Sequence, residues 1–301
     1  MIRWQRWLRR GPHEPQDVDV PALFSHAALM RAWVQVRSNN GVAGSDRVSI
    51  QAFERDLEAQ FARLQEELIA GSYQPQRVTS IIVIQPNGKQ RQLAIWTVRD
   101  RVVQRLLYDY LEPIFEPMFL ENSFGFRSGR RITDAIERVR LHRDNHLRWV
   151  VDADIQKCFD NIRTDILMRL VRQRVYHPAI LALVERFLKA QILRGPEGRA
   201  EQAGVSQGSA LSPLLCNIYL HEFDRALVDK GQHLVRYADD WVILCRRKQE
   251  AEAALQLASQ VLRKLRLEIH PGKSGVVHFD EGFSFLGYFF VRGDIYRLSR
   301  Q

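Results

Sequence analysis

Phe53, Leu57, Phe61, Leu64 and Leu68 recur at helical spacing, and Gly71 stops the pattern, so a helix is expected there. Val78 to Ile84 is a β-rich run, Pro86-Asn87-Gly88-Lys89 is a turn signal, and Gln90 to Ile95 returns. That predicts a hairpin with a basic tip. Residues 98–111 carry Val102, Val103, Leu106, Leu107, Tyr110 and Leu111, the pattern of a mostly buried helix. Further on, WVVDADI (149–155) reads as a short apolar strand with carboxylates at its end, and residues 163–191 read as mainly helical. Apolar positions 211, 214, 215, 218, 219, 223 and 227 predict another helix, with Gly231 as its stop. Leu234 to Tyr237 and Trp241 to Cys245 flank Ala238-Asp239-Asp240 as strand, turn and strand. Residues 249–266 make an amphipathic helix, and 276–298 make short strands broken at Asp280-Glu281-Gly282 and Arg292-Gly293-Asp294. Short hairpins, and the lack of a glycine-rich phosphate loop after any strand, predict an α+β chain with an antiparallel sheet.

The 301 residues allow one large domain or two small ones, and 46% hydrophobic with 26% charged residues excludes wholesale disorder. A net charge of +9 favours a polyanionic partner, nucleic acid or an anionic membrane surface. No apolar run approaches the ~20 residues of a membrane span. MIRWQRWLRR at the start is basic and aromatic, without an apolar stretch or cleavage site behind it, so no signal peptide is expected. Residues 11–21, with three prolines, read as a linker or extended arm. Cys158, Cys216 and Cys245 are far apart and odd in number, which fits neither a disulfide framework nor a cysteine metal site and suits a reducing cytoplasm.

An Asp-Asp pair at a hairpin tip is most often a solvated turn. Here the flanking strands are apolar, so a buried sheet would hold Asp239 and Asp240 at one fixed point, and Asp154 closes a second apolar strand in the same way. Two strands ending in carboxylates make an oxygen-rich site for Mg²⁺, which takes a few carboxylates plus substrate phosphates. Two such ions about 3.5–4 Å apart suit in-line phosphoryl transfer.

WVVDADIQKCFDNI (149–162), GVSQGSALSP (204–213) and RYADDWVIL (236–244) resemble, in turn, the first catalytic-aspartate motif, the nucleotide-pocket loop and the Y-x-D-D box of reverse transcriptases. NNGVAGSDRVSI (39–50), RDRVVQ (99–104), NSFGFRSGR (122–130) and FLGYFF (285–290) fall in the order of the group II intron-encoded enzymes. The resemblance spans about residues 28–292, and compact relatives of that family occur with CRISPR adaptation modules and in antiphage defence. It implies a right-hand polymerase fold with fingers and palm, the antiparallel palm sheet packed on helices, and a thumb absent or minimal. The implied divisions are a basic arm over 1–27, N-terminal helices and fingers over 28–145, a palm over 146–280 with a helical insertion at 163–200, and a primer-grip-like hairpin over 281–301.

By the same resemblance, Asp154, Asp239 and the Ile155 carbonyl hold two Mg²⁺ ions, for which Mn²⁺ can substitute, and Asp240 is the third carboxylate of the site. Lys89 and Arg91 of the hairpin would hold the triphosphate, a guanidinium donating two parallel hydrogen bonds to phosphate. Phe159 would be the steric gate against a ribose 2′-OH; Gln207 and Gly208 would line the nucleotide site. Ala238 occupies the variable place of the Y-x-D-D box. Lys273 would protonate or stabilise pyrophosphate, with a plain surface lysine as the competing reading. Arg127, Arg130 and Arg131, beside Phe124 and Phe126, would contact template or primer. The usual hairpin Pro-Lys is Ile84-Gln85 here, and the Pro and Gly of the returning strand are replaced by Gln92, Ala94 and Trp96, so one triphosphate cation is missing. Asp152 and Asp160 are given ordinary structural roles, and His142 with His146 lacks a third ligand for zinc.

The expected function is RNA-directed DNA synthesis from a primer 3′-OH with dNTPs, in the cytoplasm and away from membranes. Since the chain ends eleven residues after FLGYFF, a protein or RNA partner is expected to supply a clamp, unless the chain is cut from a longer protein. The rivals are an RNA-synthesising or untemplated polymerase, against whose use of ribonucleotides Phe159 argues, and a non-catalytic RNA-binding splicing cofactor, which three intact carboxylates oppose.

Overall fold

The computed structural model describes residues 19–84, 88, 90–190, 192–193, 204–272 and 274–298. Its first elements are α1 (Val20–Leu23), α2 (His26–Ser38), α3 (Ile50–Arg55) and α4 (Leu57–Ile69). Ser25 and Ser49 start α2 and α3 by accepting the orphan N–H groups of Ala28 and Ala52. The expected single helix over 53–71 is two, broken at Asp56 (φ −117°, ψ 27°), yet Phe53, Phe61, Leu64 and Leu68 all still reach the core. The expected arm of 1–27 ends by Asp19, since α1 and α2 begin inside it; residues 1–18 lie outside the described residues.

The hairpin forms as expected from β1 (Val78–Ile84) and β2 (Gln90–Ile95), in antiparallel register Thr79↔Ile95 to Ile84↔Gln90. Then α5 (Val98–Phe115), capped by Thr97, runs four residues past its expected end and contains Pro113. It is followed by α6 (Ile132–Asp144), β3 (Trp149–Asp154), α7 (Cys158–Asn161), α8 (Thr164–Val171) and α9 (Pro178–Lys189). β4 (Ile192–Leu193) joins β1 in parallel over two residues, the one parallel pair among the described strands.

The second half holds α10 (Ser212–Val228), β5 (His233–Tyr237), β6 (Asp240–Cys245), α11 (Lys248–Lys264), β7 (Gly275–His278), β8 (Phe283–Phe285), β9 (Tyr288–Val291) and β10 (Asp294–Arg297). The central sheet has the order β5-β6-β3-β7 and is antiparallel throughout. Its strands read as unbroken apolar runs because both faces are covered. Val151, Ala153, Trp241 and Ile243 belong to the main core with α10 and α11. Val150, Val235, Val242 and Leu244 belong to a second core with α6, Phe279, Phe283 and Phe290. All three cysteines are buried free thiols. Among the described residues no helix is long and apolar enough to cross a membrane.

The hairpin is anchored to α5 by one buried carboxylate. Asp100 accepts from the Tyr73 hydroxyl at 2.5 Å and from the Gln76 N–H at 3.0 Å, and burial still pushes its pKa up. Tyr73→Phe removes a donor from a buried carboxylate and is expected to cost ~1–3 kcal/mol of stability, measured by urea unfolding.

Candidate active site

Within the apolar strand β5, Arg236 is fully buried. Its Nε and Nη2 donate to the two oxygens of Asp224 on α10, each at 2.6 Å. Nη2 also reaches Ser123 Oγ (2.7 Å), and Nη1 reaches Asn217 Oδ1 (3.1 Å) and the Ala238 carbonyl (2.8 Å). A guanidinium has five N–H groups and each has an acceptor here. Burial works against the charge, and Asp224 outweighs it. The last bond fixes the turn between β5 and β6, where Ala238 sits in the left-handed region (φ 59°). From the other side, Asn217 donates to the Gly125 carbonyl at 2.8 Å, and a Cβ on Gly125 would lie 2.2 Å from the Ala238 nitrogen. A helix, a loop and a strand thus close on one turn.

That turn carries Asp239, and Asp240 opens β6 directly opposite Asp154 of β3 in the antiparallel register. Like charges placed opposite each other repel. Burial first, then Asp152, Asp154 and Asp239, push the Asp240 carboxyl up to about 7, against a hydrogen bond from the Leu286 N–H. Asp239 is raised by burial and by Asp154, with Arg91 and Arg236 pulling the other way. Asp152 is pushed up to about 6 by burial and Asp154. Asp152 thus shares the electrostatic neighbourhood of Asp154 and Asp240. Its sequence signal was its place two residues from Asp154, on the same strand face.

Crowded, partly desolvated carboxylates fit a divalent cation, which relieves their repulsion. Among the described residues no three carboxylate, imidazole or thiol side chains converge on one point. A magnesium ion held by Asp154 and Asp239 would complete its shell from backbone oxygen, water and phosphate, as that ion prefers.

Beside the turn lies a cleft of about 500 Å³ lined by Arg91, Phe159, Phe126, Gln207 and Gly208 among others. Phe159, carried by α7, meets Phe126 edge to face at 6.2 Å. Arg91 Nε donates to Gln207 Oε1 at 2.5 Å. The pocket loop is clamped by backbone at both ends. A Cβ on Gly204 would sit 2.6 Å from the Ile162 carbonyl, and the Val205 N–H donates to the Phe159 carbonyl at 2.9 Å. Gly208 (φ 108°) packs on the Ala94 carbonyl, whose own N–H donates to the Gln207 carbonyl at 2.7 Å. The close approach allowed by Gly208 is thus to strand β2. Trp96, in place of a family proline, packs on Phe187 of α9 at 5.6 Å.

The remaining expected site residues have varied surroundings. Arg127 is corrected: it is buried, paired with Glu116 at 2.7 Å, and donates to the Leu120 and Ser123 carbonyls at 2.7 Å, so it locks the loop and is not exposed to nucleic acid. Arg130 pairs with Glu121 at 2.8 Å and lies over the Phe124 ring, while Arg131 is exposed at the start of α6. Ile155 is buried, bridged to Ile269. Lys89 and Lys273 lie outside the described residues. His142 does gain a histidine neighbour, His233, with ring centroids 5.1 Å apart.

Residues 83–290 match the family profile described as reverse transcriptase (RNA-dependent DNA polymerase). Protein YkfC of Escherichia coli (strain K12) is 32% identical over an alignment of 330 positions that covers 97% of this chain and 84% of YkfC. The group II intron-encoded protein LtrA of Lactococcus lactis subsp. cremoris is 36% identical over 169 residues, 56% of this chain but only 28% of LtrA. Among solved structures, the telomerase of Candida albicans in complex with a telomeric RNA fragment superposes with a TM-score of 0.58 at 13% identity, over 86% of this chain and 52% of that one. A Cas6-RT-Cas1–Cas2 complex superposes at 0.52 and 22% identity, over 84% of this chain and 27% of that one. The fold is shared with both.

Arg236→Met would strand Asp224 as a buried unpaired carboxylate and is expected to cost ~3–5 kcal/mol, whereas Ser123→Ala, which removes one bond of the same network, should cost ~1 kcal/mol. Chemical denaturation of the two variants followed by circular dichroism measures both.

Proposed function

The chain belongs to the reverse transcriptase (RNA-dependent DNA polymerase) family, and on that premise we propose that it extends a nucleic-acid primer along an RNA template with deoxynucleoside triphosphates. The observation that carries this reading is the register pair Asp154↔Asp240 with Asp239 at the adjoining turn, beside a cleft lined by Arg91 and Phe159. The nucleophile is the primer 3′-OH, so no protein nucleophile is required. Two Mg²⁺ ions held by Asp154, Asp239 and the Ile155 carbonyl would, when bound, activate that hydroxyl and neutralise phosphate charge. Mn²⁺ has the same preference for oxygen ligands.

The protein's own share is positioning and electrostatics. Arg91 is oriented by Gln207 and its charge already acts on Asp239, which suits a guanidinium that holds a triphosphate next to the carboxylates. The ring of Phe159 is held against Phe126, and its α7 carbonyl anchors the pocket loop, so it is a fixed wall against the sugar and not a mobile one. A wall at that place excludes a 2′-OH by shape.

A splicing cofactor that uses the palm as a scaffold is the competing reading. A scaffold gains nothing from Asp152, Asp239 and Asp240 being held with raised pKa by burial and by their neighbouring carboxylates, so the polymerase reading is favoured.

Primer extension with Mg²⁺ on RNA and DNA templates, with dNTPs or rNTPs, tests it. DNA synthesis on RNA that is lost in Asp239→Asn is the expected result. Phe159→Ala should raise rNTP use relative to dNTP use by about tenfold or more, on the scale of a pocket that loses a sterically decisive group. Synthesis that persists in Asp239→Asn would remove the reading.

A further inference from the structure

The end of the central sheet opposite the carboxylates has a chemistry that polymerisation does not use. Strand β3 separates the two ends, with Trp149 and Asp154 at its extremes, roughly 17 Å apart for five residue steps. At the Trp149 end the registers His233↔Leu244, Trp149↔Cys245 and Trp149↔His278 line up the tips of four strands. Arg148 precedes β3 and Arg246 follows β6, so the row across the tips contains His233, Arg246, Arg148, Trp149 and His278. Four strands span about 14 Å.

Three features of this row go together. Arg148 and Arg246 are exposed and make no ion pair among the described residues, although their neighbours do: Arg143 with Asp144 and Arg247 with Glu250. Trp149 is half-buried, with Lys248 over its ring at 5.7 Å and the His278 ring edge to face at 4.9 Å, so an aromatic plane lies beside a cation. Next to it, His142, His146, His233 and Arg246, with Asp144 as the one acid, line an open hollow of about 440 Å³ at the end of α6. Burial first, then His233 and Arg138, hold His142 down to about 4. Unpaired cations next to an aromatic ring are how proteins grip a single strand: the cations follow the phosphates and the ring takes a base.

We propose that this sheet end is a second binding surface for a single nucleic-acid strand, separate from the carboxylate site and serving to hold a segment that is not being copied. The chemistry is that of a phosphodiester strand with unpaired bases, which RNA and DNA share. The role of the held segment rests on the polymerase reading, whereas strand binding by this sheet end does not.

The test uses the full chain and fluorescently labelled single strands of RNA and of DNA. Binding is followed by anisotropy as a function of salt, with and without a saturating short primer–template duplex. Arg148→Glu/Arg246→Glu and the milder Arg148→Ala/Arg246→Ala are compared with the unaltered chain, and thermal melting checks that each is folded. The expected result is residual strand binding in the presence of the duplex. It should weaken by about tenfold or more in the Glu pair, with a salt slope reduced by about two. Ultraviolet crosslinks should map to residues 146–149 and 246–248. Preference between the RNA and DNA arms identifies the source of the strand. Complete displacement by the short duplex, or unchanged affinity and slope in both folded variants, overturns the proposal.

Discussion

One buried ion pair holds the carboxylate turn. Arg236 has no water to hydrate it, so each of its N–H groups must meet an oxygen, and each does. These oxygens belong to α10, to the loop before α6 and to the turn itself. A charge removed from water tolerates little displacement, since moving one acceptor leaves a desolvated donor behind. The position of Asp239 is therefore set by the need to satisfy a cation that never touches a substrate. Asp240 is held from the far side as well, by the Leu286 N–H from the segment between β8 and β9.

The second dependency runs between the hairpin and the sheet. The pocket loop is joined by backbone to Phe159 at one end and to Ala94 at the other, and glycine at 204 and 208 permits both approaches. Gln207 then passes the connection on to Arg91. Phe159, Arg91 and the loop between them are therefore joined as one assembly. A polymerase that relies on positioning needs that, because a shift of an ångström among reacting groups is costly.

Much of this was legible in the sequence. Apolar runs ending in aspartates gave the strands β3 and β6 and their shared end, and the helices that cover them follow 3.6-residue periodicity. What escaped was whatever depends on burial. Arg127 looked like a basic surface residue because its neighbours are basic, and only the packed loop shows its pairing with Glu116. Arg236 carried a signal that is readable in retrospect, a lone charge inside the apolar run LVRY, since such residues are buried only when paired. Asp152 was set aside as ordinary although strand alternation puts it on the face of Asp154, and its energetic coupling to Asp240 needs the β3–β6 register. The break at Asp56 left the hydrophobic face intact, which is why spacing alone did not reveal it.

The Arg236 network also sets rules for exchanging segments between relatives. Asn217, Asp224, Arg236 and Ala238 lie within 22 residues of sequence, whereas Ser123 and Gly125 come from almost a hundred residues earlier. A chimera with its crossover between α6 and α10 would pair a guanidinium from one parent with a hydroxyl and a bare backbone from the other. Junctions placed before Asn122 keep all six partners from a single lineage, and shuffled libraries should be richest in folded members there.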